Sequence, residues 1–201
     1  MSSTRTGVSA KWLQRSTGVT YKTAWRMFKQ IRSMLDEGQP APLRGMVEVD
    51  ETYIGGKRHG QGRGAVGKAV VVGLFQREGK LVARVAPDVK LRTLQPMVEK
   101  YVKKGSAVFT DELHSYGRLN QRGYAHMRVN HRAKKWVVEV VAHVNNVESF
   151  WGNMKRGIDG AHHVIGTKYL QLYVDEWAFR FNHRRDEMPM FWSMLSQVAS
   201  A

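Results

Sequence analysis

The chain has 201 residues, 42% of them hydrophobic, enough for one full-sized domain with a small appendage and a real core. Its 32 Lys and Arg against 17 Asp and Glu leave a formal charge of +15, which favours a polyanionic partner. It has no cysteine, which excludes disulfides, iron–sulfur clusters and thiolate zinc sites. No apolar run approaches the roughly 20 residues of a spanning helix or forms a signal core. Any metal must therefore be held by oxygen or imidazole, and a cytoplasmic, nucleoid-associated location is expected.

Residues 9 to 37 read as two helices around a tight turn. Ser9 is placed to cap the first, Gly18 breaks it, and the second starts near Thr20. Ala24, Trp25, Phe28, Ile31, Met34 and Leu35 recur at helical spacing, while Lys22, Arg26, Lys29 and Arg32 lie mainly off that stripe. A helix-turn-helix with a basic outer face fits this pattern, its second helix suited to the DNA major groove; an ordinary helical hairpin fits equally well. Gly38-Gln39-Pro40-Ala41-Pro42 cannot continue a helix. The expected organisation is a helix-turn-helix unit over 1–38, a linker over 39–45 and a second domain over 46–201.

From Met46 the hydrophobic period changes to two, and 46–53, 69–75 and 81–85 read as three strands of an antiparallel meander. A helix is expected over 93–104, a short buried strand over 107–111, a helix over 115–121 and a strand over 124–129. Helices over 144–157 and 167–183 complete the chain. Three hairpin strands, a helix, then further strand and helix are the order of an RNase H-like α/β fold, a mixed sheet flanked by helices.

Three acids stand where this order can gather them. Asp50 lies mid-strand on the pleat face opposite Val47 and Val49, Asp111 ends a buried strand, and Glu148 rides a helix. Carboxylate oxygens suit Mg²⁺ or Mn²⁺, and a pair of such ions can activate a nucleophile and neutralise a leaving oxygen in phosphodiester chemistry. On the helix of Glu148, Val147, Trp151, Met154 and Ile158 form a core stripe, and Asn145, Glu148, Gly152 and Lys155 form the adjacent one. Asn145 is placed to orient a metal shell or a phosphate, and Lys155 to contact phosphate, although a solvated charged face has the same pattern.

Glu48 shares a pleat face with Asp50 and is a candidate supporting group, whereas Glu51 and Glu112 are expected to point the other way. His162 and His163 are adjacent, hence poor same-face partners on a helix; His126, His131 and His143 show no ligand spacing, and His114 and His143 are near enough to the acids to support them. Gly62 to Ala69 satisfies G-x-G-x-x-G and nearly a P-loop, but Ala69 replaces the required hydroxyl and a β-branched strand follows where a helix is needed. The stretch from Gly55 to Lys68 reads instead as a basic hairpin loop, with Lys57, Arg58, Arg63 and Lys68 suited to a phosphate backbone or simply to solvent.

Val49-Asp50-Glu51-Thr52-Tyr53-Ile54-Gly55-Gly56-Lys57 resembles the DDE-type transposases of bacterial insertion sequences, specifically the ISXO-like group. Phe109-Thr110-Asp111 with Ser115-Tyr116 resembles the second-acid block, Asn145 to Gly157 the Asn-x-x-Glu-Ser-Phe-Trp block with its trailing Lys-Arg-Gly, and Tyr169 to Asn182 the closing helix. The resemblance implies an RNase H-like catalytic domain that uses Mg²⁺ or Mn²⁺, as two ions, to cleave DNA at the element's ends and join the freed 3′-OH to target DNA. It carries Asp50 and Asp111 over as metal ligands, with Glu148 or Asn145 as the third, Lys155 completing the catalytic set and Arg156 beside it on DNA. Pairing two DNA ends implies a homodimer or higher oligomer on double-stranded DNA. Members of the group usually carry a cysteine-rich zinc ribbon ahead of the helix-turn-helix; the expectation here is an N-terminally truncated copy with weakened end recognition. A non-catalytic DNA-binding regulator of transposition and a structure-specific nuclease of the same fold are the alternatives.

Overall fold

The computed structural model describes residues 7–38, 41–55, 67–129, 144–163 and 165–199. Contacts divide the chain into two compact units. One holds the described residues from 41 to Ile54 and from Gly67 to Trp151; the other holds those up to Gly38, Gly55, and those from Gly152 onward.

The first of these is built on a five-stranded sheet. Its strands are β1 (Met46–Ile54), β2 (Ala69–Gln76), β3 (Leu81–Ala86), β4 (Ala107–Thr110) and β5 (Ala125–Arg128), in the order β3-β2-β1-β4-β5. β1, β2 and β3 pair antiparallel, as the turn around Gly79 dictates, whereas β4 pairs parallel to both β1 and β5. This mixed sheet with flanking helices is an RNase H-like architecture.

Alternation assigns the faces. Val47, Val49, Val70, Val72, Leu74, Val82 and Val108 turn to one side and bury against Leu94, Val98 and Tyr101 of helix α3 (Leu91–Tyr101). The helix expected over 93–104 is thus shifted toward its N-terminus. Asp88 draws its start back, accepting from the Lys90 amide and the Thr93 hydroxyl, and Val102 ends it by turning extended and bridging Leu43. The helix expected over 115–121 is replaced by two 3₁₀ turns, His114–Tyr116 and Asn120–Arg122, between Leu113 and the left-handed Gly123. Tyr116 is drawn fully inside, which a regular exposed helix there does not allow.

Helix α4 (Asn145–Gly157) begins on this unit and continues into the other, where it widens into a π turn over Ile158–His162. That second unit also contains α1 (Ala10–Thr17), α2 (Tyr21–Ser33), α5 (Leu170–Asn182) and α6 (Met190–Ala199). Ser9 and Thr20 cap α1 and α2 as their positions suggest, and Gly18 takes the left-handed conformation that closes α1. α6 was not legible in the sequence reading. Arg32 departs from the basic face assigned to it: it is buried, its Nε donating to Glu176 at 2.7 Å, and Glu176 also receives Arg180. The remaining cations of that helix, Lys22, Arg26 and Lys29, are exposed.

Candidate carboxylate centre

The register of the sheet sets the centre. Val49 pairs with Thr110 across the parallel β1–β4 ladder, so Asp50, within β1, and Asp111, just past the end of β4, each follow one residue after that pair. Parity puts both on the sheet face opposite α3, the side of Phe109 and Glu48. Glu148, an exposed residue of the first turn of α4, acts electrostatically on Asp50. The three acids therefore share one electrostatic neighbourhood.

Asp50 shows the consequence. Burial first, then the charge of Asp111 and, more weakly, that of Glu148 push its carboxyl up to about 6, while a hydrogen bond from Trp151 pulls the other way. That bond runs from the indole Nε1 to Asp50 Oδ2 at 2.9 Å. Trp151 reaches the sheet because Asp50's partner on β2 is Gly73: a Cβ there would lie 2.7 Å from Cζ2 of Trp151 and 3.0 Å from Cγ1 of Val147. A strand glycine ordinarily weakens a sheet, and this one is the seat of the indole.

Glu48 holds the helix in place. It is fully buried, accepts Arg77 Nε at 2.9 Å, and receives both the backbone N–H and the side-chain amide of Asn146, at 3.1 and 2.8 Å. The Val147 N–H is 3.4 Å away. A carboxylate facing the free N–H groups of a helix N-terminus satisfies orphan donors and complements the helix dipole. Glu48 therefore positions α4, and with it Glu148 and Trp151, and its oxygens are already engaged.

Glu51 is the residue the sequence reading set aside and the structure brings back. Its side chain accepts the Tyr116 hydroxyl at 2.9 Å, and burial followed by the charge of Asp111 raises it to about 7. The parity argument gave its pleat face but not its reach past the end of β4. Tyr116 is in turn held protonated by burial and by Glu51. Asp111 accepts the Leu113 N–H at 3.0 Å, which fixes the turn after β4. Glu112 is exposed, as is His114, while His126 meets Thr110 at 2.9 Å.

Asn145 is exposed at the first position of α4, and its neighbour Asn146 is the amide that engages Glu48. Lys155 and Arg156 lie exposed on the part of α4 that belongs to the other unit, Arg156 donating to Asn153. Lys68 is half-buried just before β2. Lys57, Arg58, Arg63, His131 and His143 lie outside the described residues. Among the described residues no group of three or more His, Asp or Glu side chains is arranged so that it could hold a metal ion. The donors of the centre are all carboxylate oxygens in mutual repulsion, a set that fits a hard divalent cation.

Comparison with known proteins identifies relatives of this chain. A 104-residue stretch is 32% identical to an uncharacterized transposase-like protein of Haemophilus influenzae, covering 52% of this chain and 82% of that protein. Residues 42–182 match the family described as the ISXO2-like transposase domain, a span that runs from the residues before β1 to the end of α5 and contains all three acids. The chain belongs to the ISXO2-like transposase family.

Proposed function

We propose that this transposase cleaves DNA strands and transfers the resulting 3′-OH ends in a reaction that depends on Mg²⁺ or Mn²⁺, with Asp50, Asp111 and Glu148 as the residues that hold the metal. The observation that carries the reading is the raised carboxyl of Asp50, which sits in the field of two further acids on a chain of net charge +15. A divalent cation bound by these oxygens would neutralise charge developing on the phosphate and favour the deprotonated nucleophile.

The chain's own residues supply the rest. Trp151 holds one oxygen of Asp50, Glu48 fixes the start of α4, and the Leu113 N–H orients Asp111. Asn145, exposed one turn before Glu148, is suited to orient a phosphate or complete the donor set, and Lys155 to neutralise a flanking phosphate. Glu51 and Tyr116, hydrogen-bonded to each other, keep a proton-bearing pair beside Asp111. The exposed Lys22, Arg26 and Lys29 of α2 are placed to grip DNA phosphates.

The test pairs a binding measurement with two activities. Calorimetry with Mn²⁺ should show binding that Asp50→Asn and Asp111→Asn each abolish, with the same variants losing Mn²⁺-dependent nicking of supercoiled DNA and joining of pre-cut 3′-OH ends. DNA binding that persists without metal and is indifferent to both substitutions, with no cutting, would favour a non-catalytic regulator; cutting without joining would favour a nuclease.

A further inference from the structure

The helical unit contains a cavity of about 500 Å³, within the size range of small-molecule sites and unrelated to the carboxylate centre. Arg32 forms part of its wall. The residue is 3% exposed, and although its Nε is committed to Glu176 at 2.7 Å, its Nη2 has no hydrogen-bond partner among the described residues. Buried guanidinium N–H groups normally have acceptors, so this one marks a place built for an anion.

The rest of the wall has the same character. Among the described residues, Arg32, Lys11, His162 and His163 are the ionisable groups of the lining other than tyrosines, and no Asp or Glu joins them. Adjacent histidines on a regular helix diverge, but here the π turn over Ile158–His162, followed by His163 at φ 57°, lets both line the cavity. Such bulges and positive-φ residues carry strain and recur at functional sites. Burial and then the charge of Arg32 hold His162 down at about 4.

Flat rings supply part of the remaining surface, beside small and apolar residues. The Tyr173 ring lies 4.0 Å from the Arg32 guanidinium and 4.9 Å from the His162 ring, and Trp25 meets Tyr169 edge-on at 5.1 Å. Tyr21 stands at the rim, 51% exposed. A buried cation beside aromatic faces matches a ligand that joins a phosphate to a planar base, since stacking and charge are the two terms by which unpaired nucleotides are held.

We propose that this cavity binds a single unstacked nucleotide, its phosphate toward Arg32 and the histidines and its base against the aromatic wall. The source is either a nucleotide at a DNA end or a free nucleotide. The inference does not rest on the metal reading, and its test uses Asp50→Asn protein without divalent cation. Deoxyadenosine monophosphate should shift the ring signals of His162 and His163 and the indole N–H of Trp25 saturably in NMR titration. Inorganic phosphate and deoxyadenosine should each bind more weakly by fivefold or more. Tyr21→Ala combined with His163→Ala, both at exposed positions, should weaken the nucleotide by about five- to a hundredfold. A duplex with a one-nucleotide overhang that reproduces the shifts, where a blunt duplex does not, assigns the nucleotide to DNA; shifts from the free nucleotide alone assign it to the metabolite pool. Shifts that fail to saturate, that survive the double variant, or that inorganic phosphate reproduces at equal affinity overturn the proposal.

Discussion

Gly73→Ala isolates the contact on which the geometry of Asp50 depends. In an unobstructed strand the added methyl would stabilise the chain by about 0.5–1 kcal/mol, because alanine loses less backbone freedom on folding. Here the new Cβ falls 2.7 Å from Cζ2 of Trp151 and 3.0 Å from Cγ1 of Val147, so helix and indole must retreat by roughly 1 Å to regain ordinary contact. Overpacking of that kind costs about 1–3 kcal/mol, a fall in Tm on the order of 2–12 °C for a chain of this size. The retreat also lengthens the 2.9 Å bond from Trp151 to Asp50, so Asp50 should titrate above about 6 and Mn²⁺ affinity should fall by about 10–100-fold. The decisive assay is a double-mutant cycle with Trp151→Leu, read by chemical unfolding. Without the indole only the 3.0 Å approach to Val147 remains, so Gly73→Ala should cost less, giving a coupling of about 1 kcal/mol or more. Costs that add to within about 0.5 kcal/mol would refute the seat argument.

The same contacts have further consequences. Glu48→Ala strips Arg77 of its buried partner and α4 of its cap, and urea unfolding should register a loss of about 3–5 kcal/mol, with Glu48→Gln losing less. Asp50 and Glu51, at about 6 and about 7, both have folded pKa values above their ordinary 3.8 and 4.5, so their contribution to stability is complete below about pH 4 and lost as pH rises through 6 and 7. After allowance for partial solvent screening, metal-free protein should lose on the order of 2–3 kcal/mol between pH 4 and 8. Asp50→Asn with Glu51→Gln should flatten that slope, and Mg²⁺ should restore stability more at pH 8 than at pH 5; a slope unchanged in the double variant would contradict the assignment. In the helical unit, Glu176→Gln leaves Arg32 and Arg180 without their shared carboxylate and should cost about 3–5 kcal/mol by thermal unfolding, whereas substituting the exposed Lys22 should change stability by less than about 0.5 kcal/mol.

Much of the frame was legible because it is written in short-range pattern. Alternation over Met46–Ile54 and Ala69–Gln76 announces strands whatever surrounds them, and Ser9, Gly18 and Thr20 mark helix ends through bonds to residues only a few positions away. The acids themselves were visible too, since a carboxylate ending a buried strand needs a reason to be there. What the pattern did not contain was partnership over long separations. Arg32 reads as one more cation on a basic face until Glu176, 144 residues away, takes it inside. Glu51 reads as a group facing away from the site until Tyr116 and Asp111 close around it. Trp151 reads as plain core until the sheet register sets Gly73 beneath its ring and Asp50 within reach of its N–H. Periodicity is a property of neighbours along the chain and is fixed by backbone geometry, so sequence alone determined the strands and most helices. Which oxygen meets which donor, and how strongly the acids disturb one another, depends on packing between segments tens of residues apart, and only the tertiary structure decided it.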